Sequence, residues 1–218
     1  IVYLGLNKIK TVIMYSCFLP YINMPYPGYE DRNGELWRYS MGVSILAEEI
    51  AGCSSGLDPH SLFLSSVFHD IGKMVLSQYV LQHNNSIREK VFGQKVSFVL
   101  AEREIFSIDH AEIGAMLLEK WNMDEKIVQV VRHHHQVQAV EPDELLYTVS
   151  LANEIANSIG YAPFYGSEGS GQLDFLIETM NVTELEIQTW IARFTDRIRQ
   201  IESSIVGEDA SFPAPGYV

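Results

Sequence analysis

Apolar residues return every three or four positions along almost the whole chain, which is the spacing of an amphipathic α-helix. The stripe of Tyr39, Val43, Leu46 and Ile50 is typical, and it runs out near Gly52. No long alternation of β-branched and polar residues, which would indicate a strand, interrupts this pattern. Because 47% of the 218 residues are hydrophobic, the chain can bury one substantial core. The sequence therefore predicts an all-α fold.

Helix starts are marked by side chains that can accept a hydrogen bond from an N–H group of the first turn. Asp58 precedes Pro59, and proline suits the first position of a helix. Asp109 with Glu112 forms an acidic variant of the capping box, so a helix is expected to begin at His110. Further starts of the same kind lie at Asp124, at Asp143 and at Thr183 with Glu186.

The apolar residues after each start predict which face of the helix is buried. For the helix that begins at His110, the expected core residues are Ile113, Met116 and Leu117, and the expected end is Asn122. Trp121 is interpreted as a core anchor of this helix. The helix that starts at Asp143 is expected to end at Gly160.

A stretch rich in glycine and serine divides the chain. We interpret residues 161–172 as a flexible loop, because this stretch and Gly160 before it hold four glycines. It separates a helical core over residues 1–160 from a C-terminal helical segment over 173–218, with a loose tail from about 207. An apolar seam on that segment is expected to pack on the core rather than on a partner. The seam consists of Ile187, Ile191, Phe194, Ile198, Ile201 and Ile205.

Charge and cysteine content restrict the partners and the compartment. Fifteen basic and 28 acidic residues give a net charge of −13, which excludes nucleic acid as the expected partner. Cys17 and Cys53 are too few for a disulfide framework, so a cytoplasmic location is expected. Lys8, Lys10 and Pro20 interrupt the apolar start, which predicts no membrane span there. Because the sequence does not start with methionine, it is interpreted as a fragment.

Histidines fall at the ends of several expected helices, and five of the seven could be brought together by the fold: His69, His110, His133, His134 and His135. Imidazole and carboxylate groups are suitable ligands for zinc, iron and manganese. His69 and Asp70 point about 100° apart on a regular helix, so they can share an ion only at a helix end. Gly72 would permit the necessary distortion. Without further context, a single histidine at a helix start is more often a hydrogen-bonded residue than a ligand.

Several motifs resemble those of one known family. His69-Asp70-Ile71-Gly72-Lys73 is similar to the signature of HD-type metal-dependent phosphohydrolases. The motifs with an order and spacing similar to HDOD domains are Leu36-Trp37-Arg38-Tyr39-Ser40, Asp109-His110-Ala111-Glu112-Ile113-Gly114, Glu119-Lys120-Trp121-Asn122, His134-His135 and Ser150-Leu151-Ala152-Asn153. The resemblance extends from near Gly5 to near Ile205. It implies a helical bundle of the HD superfamily, with an N-terminal helical part lying upstream of this chain.

The resemblance also implies an incomplete metal site. Related HD-GYP domains carry a histidine at the position of Tyr39 and an aspartate at that of Asn153, so both ligand positions are degenerate here. The first ion would keep only His69 and Asp70. The second could still use four ligands, which are Asp70, His110, His134 and His135. One divalent ion (iron, manganese or zinc) or none is expected. His133 is interpreted as an exposed neighbour.

Two functions follow from the resemblance. The first is a non-catalytic HDOD-like module of bacterial signal transduction, whose partners are other signalling domains or proteins. The alternative is a phosphohydrolase that uses a single divalent ion, with Lys73 as a candidate phosphate-binding residue. For Lys73 alone, a solvated surface position is the favoured interpretation. A sensor of a phosphate-free ligand in the same cavity stays open as a third interpretation.

Overall fold

Short polar caps and apolar stripes produce a succession of helices in the computed structural model, which describes residues 24–30, 32, 34–52, 56–163 and 171–205. These residues contain no strand, so the all-α prediction is confirmed. The helices are α1 (Glu35–Ala51), α2 (Pro59–Phe68), α3 (Gly72–Gln82), α4 (Asn84–Arg88), α5 (Phe98–Phe106), α6 (His110–Lys120), α7 (Glu125–His133), α8 (Glu144–Ser158), α9 (Leu173–Met180) and α10 (Glu184–Ile205). A π-helical turn (Glu89–Gly93) follows α4, and a 3₁₀ turn (Val137–Ala139) follows α7.

The predicted helix starts are confirmed by the hydrogen bonds of their caps. Asp58 accepts from the N–H of Ser61, and Asp109 accepts from the N–H of Glu112 at 2.8 Å. Asp124 and Asp143 cap α7 and α8 in the same way. At the start of α10, Thr183 and Glu186 bond each other's backbone N–H groups, which completes a capping box. Each cap satisfies a backbone donor that the helix leaves without a partner.

The main core lies between α1, α8 and the C-terminal helices. Helix α1 packs against α2, α8 and α10, while α9 packs against α8. On α10 the buried side chains are Trp190 and Phe194, and Ile187, Ile191 and Ile198 pack beside them. Ile201 is 42% exposed, so the apolar seam leaves the core before the helix ends.

A second layer is formed by α3, α6 and α7, and here the predicted core face of α6 is correct only in part. Met116 is 52% exposed, whereas Ile113 and Leu117 are half-buried and pack at the edge of the core. The buried face consists instead of Ala111, Gly114, Ala115 and Leu118 together with His110. Small residues face the core because α6 lies close to its neighbours. A prediction from hydropathy alone does not identify a buried face made of small residues.

Trp121 and Gly72 also differ from expectation. Trp121 is 43% exposed, so its interpretation as a core anchor is wrong: the residue follows α6 at a helix end, outside the buried face. Gly72 is the first residue of α3 and does not have a positive φ. A Cβ at this position would lie 1.9 Å from the carbonyl oxygen of His110. Gly72 is therefore required for the close approach of α3 and α6 and not for a distorted turn.

Some sequence-based expectations lie outside the described residues. These are the interpretations of the apolar start, of Cys17 and Cys53, of most of the 161–172 loop, of the Ile205 side chain and of the tail from 207. Within the described part, no helix has the length and apolar character needed to cross a membrane.

Candidate metal centre

Three chain segments bring one carboxylate and three imidazoles to the same point. Asp70 lies between α2 and α3, His110 is the first residue of α6, and His134 and His135 follow α7 directly. One donor atom from each of these four residues lies within 4.8 Å of the others. Asp70, His110 and His134 are at most 2% exposed. The structure thus places four of the candidate ligands in one buried cluster.

The distances within the cluster suit a single small cation. Asp70 Oδ1 lies 3.1 Å from His110 Nε2 and 3.7 Å from His134 Nε2. The Nε2 atoms of His110 and His135 are 3.0 Å apart. Two nitrogen ligands that each lie about 2.1 Å from one ion, with an N–metal–N angle of about 90°, would also be about 3.0 Å apart. The spacing of the donors is therefore compatible with coordination.

Neighbouring acceptors fix which ring nitrogen of each histidine faces the cluster. His134 Nδ1 lies 2.8 Å from the carbonyl oxygen of Val131, so this nitrogen carries the proton. His110 Nδ1 lies 2.7 Å from Glu102 Oε2 and donates to it in the same way. In both residues Nε2 is therefore the ring nitrogen that faces the cluster. Metal-binding histidines in proteins are commonly oriented by this kind of second bond.

Glu102 on α5 is a functional residue that the sequence analysis missed. It is fully buried, and its Oε2 accepts hydrogen bonds from both the backbone N–H and the ring of His110. Its other oxygen accepts from the hydroxyl of Tyr29. The signal was available: Glu102 occupies the apolar face of α5 between Phe98 and Ile105, and a carboxylate on such a face requires a partner.

Several polar atoms beside the cluster are buried without a hydrogen bond. They include Asp70 Oδ1, His69 Nε2 and His134 Nε2. An unpaired buried polar atom is costly, and a bound ion is one of the partners that ordinarily satisfy such atoms. One carboxylate oxygen and three imidazole nitrogens are also a donor set that zinc, iron and manganese accept. The residues present therefore fit a divalent transition ion.

The second oxygen of Asp70 is already engaged. Lys73 Nζ lies 2.6 Å from Asp70 Oδ2, and His69 Nε2 lies 3.3 Å from the same oxygen. Lys73 is only 8% exposed, so the interpretation of a solvated surface lysine is wrong. Lys73 lies in the first turn of α3, and its side chain reaches back to a buried carboxylate three residues earlier. His69 lies on this side of Asp70, outside the four-residue cluster.

Burial and charge determine the protonation of the cluster. Burial alone would raise the pKa of Asp70, but the nearby groups of His69, Lys73, His110 and His134 hold the pKa well below its ordinary value of 3.8. Burial lowers the pKa of His134 to about 4, so its ring is neutral and can bind an ion. Burial opposes the charged form of His110 as well, yet the carboxylates of Glu102 and Asp70 raise its pKa to about 9. An ion at this point would displace the Nε2 proton of His110.

The other half of the expected site is filled by a neutral network. The hydroxyl oxygen of Tyr39 lies 2.6 Å from Asn153 Oδ1 and 3.0 Å from Asn157 Oδ1. Burial, together with the charges of Asp70 and Glu154, raises the pKa of Tyr39 well above 10.0, so the phenol keeps its proton. Protonated phenol and amide groups supply neither a charge nor an imidazole nitrogen.

His133 takes no part in the cluster. It is the last residue of α7 and is half-buried in a cleft that Glu125, Glu141 and Pro142 also line. Its position outside the cluster agrees with the expectation, although it is less exposed than expected.

Comparison with known proteins gives the family and the fold. The model of the HDOD domain family matches residues 1–137. An uncharacterised protein of Treponema pallidum is 26% identical over 129 residues, covering 57% of this chain. The match covers 25% of the length of that relative.

Three solved structures are similar to the chain in fold. An HDOD domain protein with unknown function from Geobacter sulfurreducens has a TM-score of 0.68 at 21% identity, covering 94% of this chain and 72% of that one. A "Putative phosphohydrolase" from Shewanella amazonensis has a TM-score of 0.61 at 20% identity, covering 87% and 74%. A "Putative signal transduction protein" from Marinobacter aquaeolei has a TM-score of 0.64 at 16% identity, covering 92% and 45%. At these identities the likeness concerns the helical fold alone.

Proposed function

The chain belongs to the HDOD domain family, and we propose that it is a regulatory module of cytoplasmic bacterial signal transduction that binds one divalent transition ion. The proposed ligands are Asp70, His110, His134 and His135. The core up to residue 160 would bind the ion. The segment from 173 onwards would transmit the conformational state of the core to other signalling domains or proteins. Its role would be conformational and not catalytic.

The observation that supports this proposal most strongly is that the two oxygens of the Asp70 carboxylate have different partners. Oδ1 faces His110 and His134, whereas Oδ2 is held by Lys73 at 2.6 Å. Hydrolysis by a two-metal clamp needs both ions, one for the attacking oxygen and one for the leaving oxygen. The ammonium of Lys73 on one oxygen and the neutral Tyr39 network in place of two ligands therefore favour binding of a single ion through Asp70.

Burial also favours a regulatory role. The side chains of His69, Asp70, His110 and His134 are between 0 and 2% exposed. A phosphate ester would have to reach the ion past these packed side chains. An ion enclosed in this way stabilises the contact between the helix ends that bear its ligands, because its binding energy contributes to the stability of the folded state.

A phosphohydrolase with a single ion is the second candidate. It is favoured by Lys73, which lies beside Asp70 and carries a positive charge that could bind a phosphate. A bound ion would polarise a phosphoryl oxygen or lower the pKa of a bound water. For that role Lys73 would have to leave Asp70 Oδ2, which would unpair a buried carboxylate.

Metal analysis tests the proposal directly. Protein purified without a chelator is expected to hold about one transition ion per chain, measured by mass spectrometry of the elements, since four donors converge on one point. A screen of phosphodiesters and nucleotides with added Mn²⁺ or Fe²⁺ should show no turnover above background. Two tightly bound ions per chain, or turnover that an Asp70→Ala variant loses, would contradict the regulatory proposal.

Restoring the missing ligands is expected to raise the metal content. The double substitution Tyr39→His with Asn153→Asp replaces a neutral phenol and a neutral amide by an imidazole and a carboxylate next to His69. We expect occupancy to rise from about one towards two ions per chain, measured in the same way. Asn157→Asp alone adds a carboxylate to the same network without an imidazole and is the control. If the double variant binds no more metal than the parent, the assignment of these two positions is wrong.

A further inference from the structure

The side chain of Gln172 holds the backbone on both sides of His135, the second residue of the histidine pair. Its Oε1 accepts from the N–H of Val137 at 2.6 Å, and its Nε2 donates to the carbonyl oxygen of His134 at 3.2 Å. Gln172 is 6% exposed and lies 35 and 38 residues away from these partners in sequence. His134 and His135 are therefore positioned by a residue of another part of the chain.

Gln172 is fixed in turn to the C-terminal helices. It is the N-terminal cap residue of α9, and Leu176 one turn further on is fully buried in the main core. Helix α9 packs against α8 and is followed by α10, which packs against α1. If α9 shifts by a fraction of a turn, both hydrogen bonds of Gln172 must lengthen, and the segment that bears His134 and His135 is released.

We propose that Gln172 couples the docking of α9 to metal binding at His134 and His135. The inference rests on the proposed metal site and names how that site is regulated. When α9 is docked, the two imidazoles are held at the spacing that an ion requires. Because coupling between two equilibria is reciprocal, an ion bound at the histidine pair strengthens the docking of α9 by the same factor. Gln172 acts as a positioning residue and does not touch the ion.

Hydrogen exchange on the full chain tests the coupling, with Zn²⁺ as the probe. In the parent protein, Zn²⁺ is expected to slow the exchange of the α9 amides at least several-fold. In Gln172→Met, which keeps the length of the side chain but removes both hydrogen bonds, this slowing should disappear. The affinity for Zn²⁺, measured by calorimetry, should fall about 10- to 100-fold, as is typical when an outer partner of a metal ligand is lost.

Gln188→Met is the matched control, since Gln188 is an exposed glutamine of the same C-terminal segment whose side chain donates to Glu184 at 3.0 Å. It should behave like the parent in both measurements. If Gln172→Met fails to fold, Leu176→Ala loosens the packing of α9 while it leaves the side chain of Gln172 and both imidazoles in place, and the same loss of Zn²⁺ affinity is expected.

The outcomes separate the two proposals. A parent protein that binds no Zn²⁺ in calorimetry overturns the metal site itself. A parent that binds Zn²⁺ tightly but shows the same α9 exchange with and without the ion overturns the coupling alone. Equal Zn²⁺ protection of α9 in the parent and in Gln172→Met would also refute it, because the bonds of Gln172 would then carry no coupling.

Discussion

Asp70→Asn is expected to abolish binding of a divalent ion at the histidine cluster. Asp70 supplies the carboxylate among the four proposed ligands, and its Oδ1 lies 3.1 Å from His110 Nε2. The amide is neutral and nearly the same size, so the change removes charge and donor strength rather than volume. Loss of a direct ligand should weaken binding by more than the roughly 10- to 100-fold typical of outer partners. Calorimetric titration with Zn²⁺ and metal analysis of the purified protein measure the effect.

The same substitution also costs stability, and this must be separated from the loss of the ligand. It leaves Lys73, which is 8% exposed, without its partner at 2.6 Å. Breaking a buried ion pair on one side typically destabilises a protein by about 3–5 kcal/mol. Urea unfolding of the protein without metal should show this decrease in the free energy of unfolding.

The double variant Asp70→Asn with Lys73→Met is the control for folding. Removing both charges of a buried pair is often close to neutral, so most of the lost stability should return. Metal binding should stay absent, because the carboxylate is still missing. Zn²⁺ affinity of either variant equal to that of the parent would exclude Asp70 as a ligand.

Much of the fold could be predicted because helix starts are encoded locally. The caps at Asp58, Asp109, Asp124 and Asp143 need only residues two or three positions further along, and all four are present as expected. Histidines at helix ends could be recognised for the same reason. That Asp70, His110 and the pair after α7 meet at one point follows from the packing of helices, which was expected only from the resemblance to a family.

Three contacts that complete the site were not predicted from the sequence. Glu102 bonds His110 from a different helix, and Gln172 reaches the histidine pair across 35 residues or more. Lys73 looked like a surface residue because lysines usually are, but a buried carboxylate three positions earlier changes its environment. For Glu102 a carboxylate on the apolar face of α5 was the available signal, whereas Gln172 lies at the end of a segment that was interpreted as a flexible loop.

The buried face of α6 was missed for a different physical reason. Apolar periodicity gives weight to large side chains, so Ile113, Met116 and Leu117 appeared to face the core. The contact with α3 selects small residues instead, because the two helix backbones nearly touch at Gly72 and Gly114. Such a face cannot be found from hydropathy, since its defining property is the absence of side-chain volume.

Gly72→Ala is therefore expected to be the most damaging single-methyl substitution at a glycine of this layer. The new Cβ would lie 1.9 Å from the carbonyl oxygen of His110 and 2.7 Å from the backbone nitrogen of Gly114. Both atoms belong to the backbone of α6, so no side-chain rotation relieves the overlap, and α3 and α6 must separate. Overpacking of a tight core costs about 1–3 kcal/mol, and more where backbone must move. The shift of His110 should also weaken binding of Zn²⁺.

Gly56→Ala is the matched control for this prediction. A Cβ at Gly56 meets nothing within 4 Å. The change should leave the free energy of unfolding unaltered or raise it by about 0.4–1 kcal/mol, because alanine restricts the unfolded chain. Thermal unfolding of both variants without metal, followed by titration with Zn²⁺, makes the comparison. If Gly72→Ala unfolds at the same temperature as Gly56→Ala and binds Zn²⁺ like the parent, α3 and α6 do not approach as closely as described, and the position of His110 would not depend on that approach.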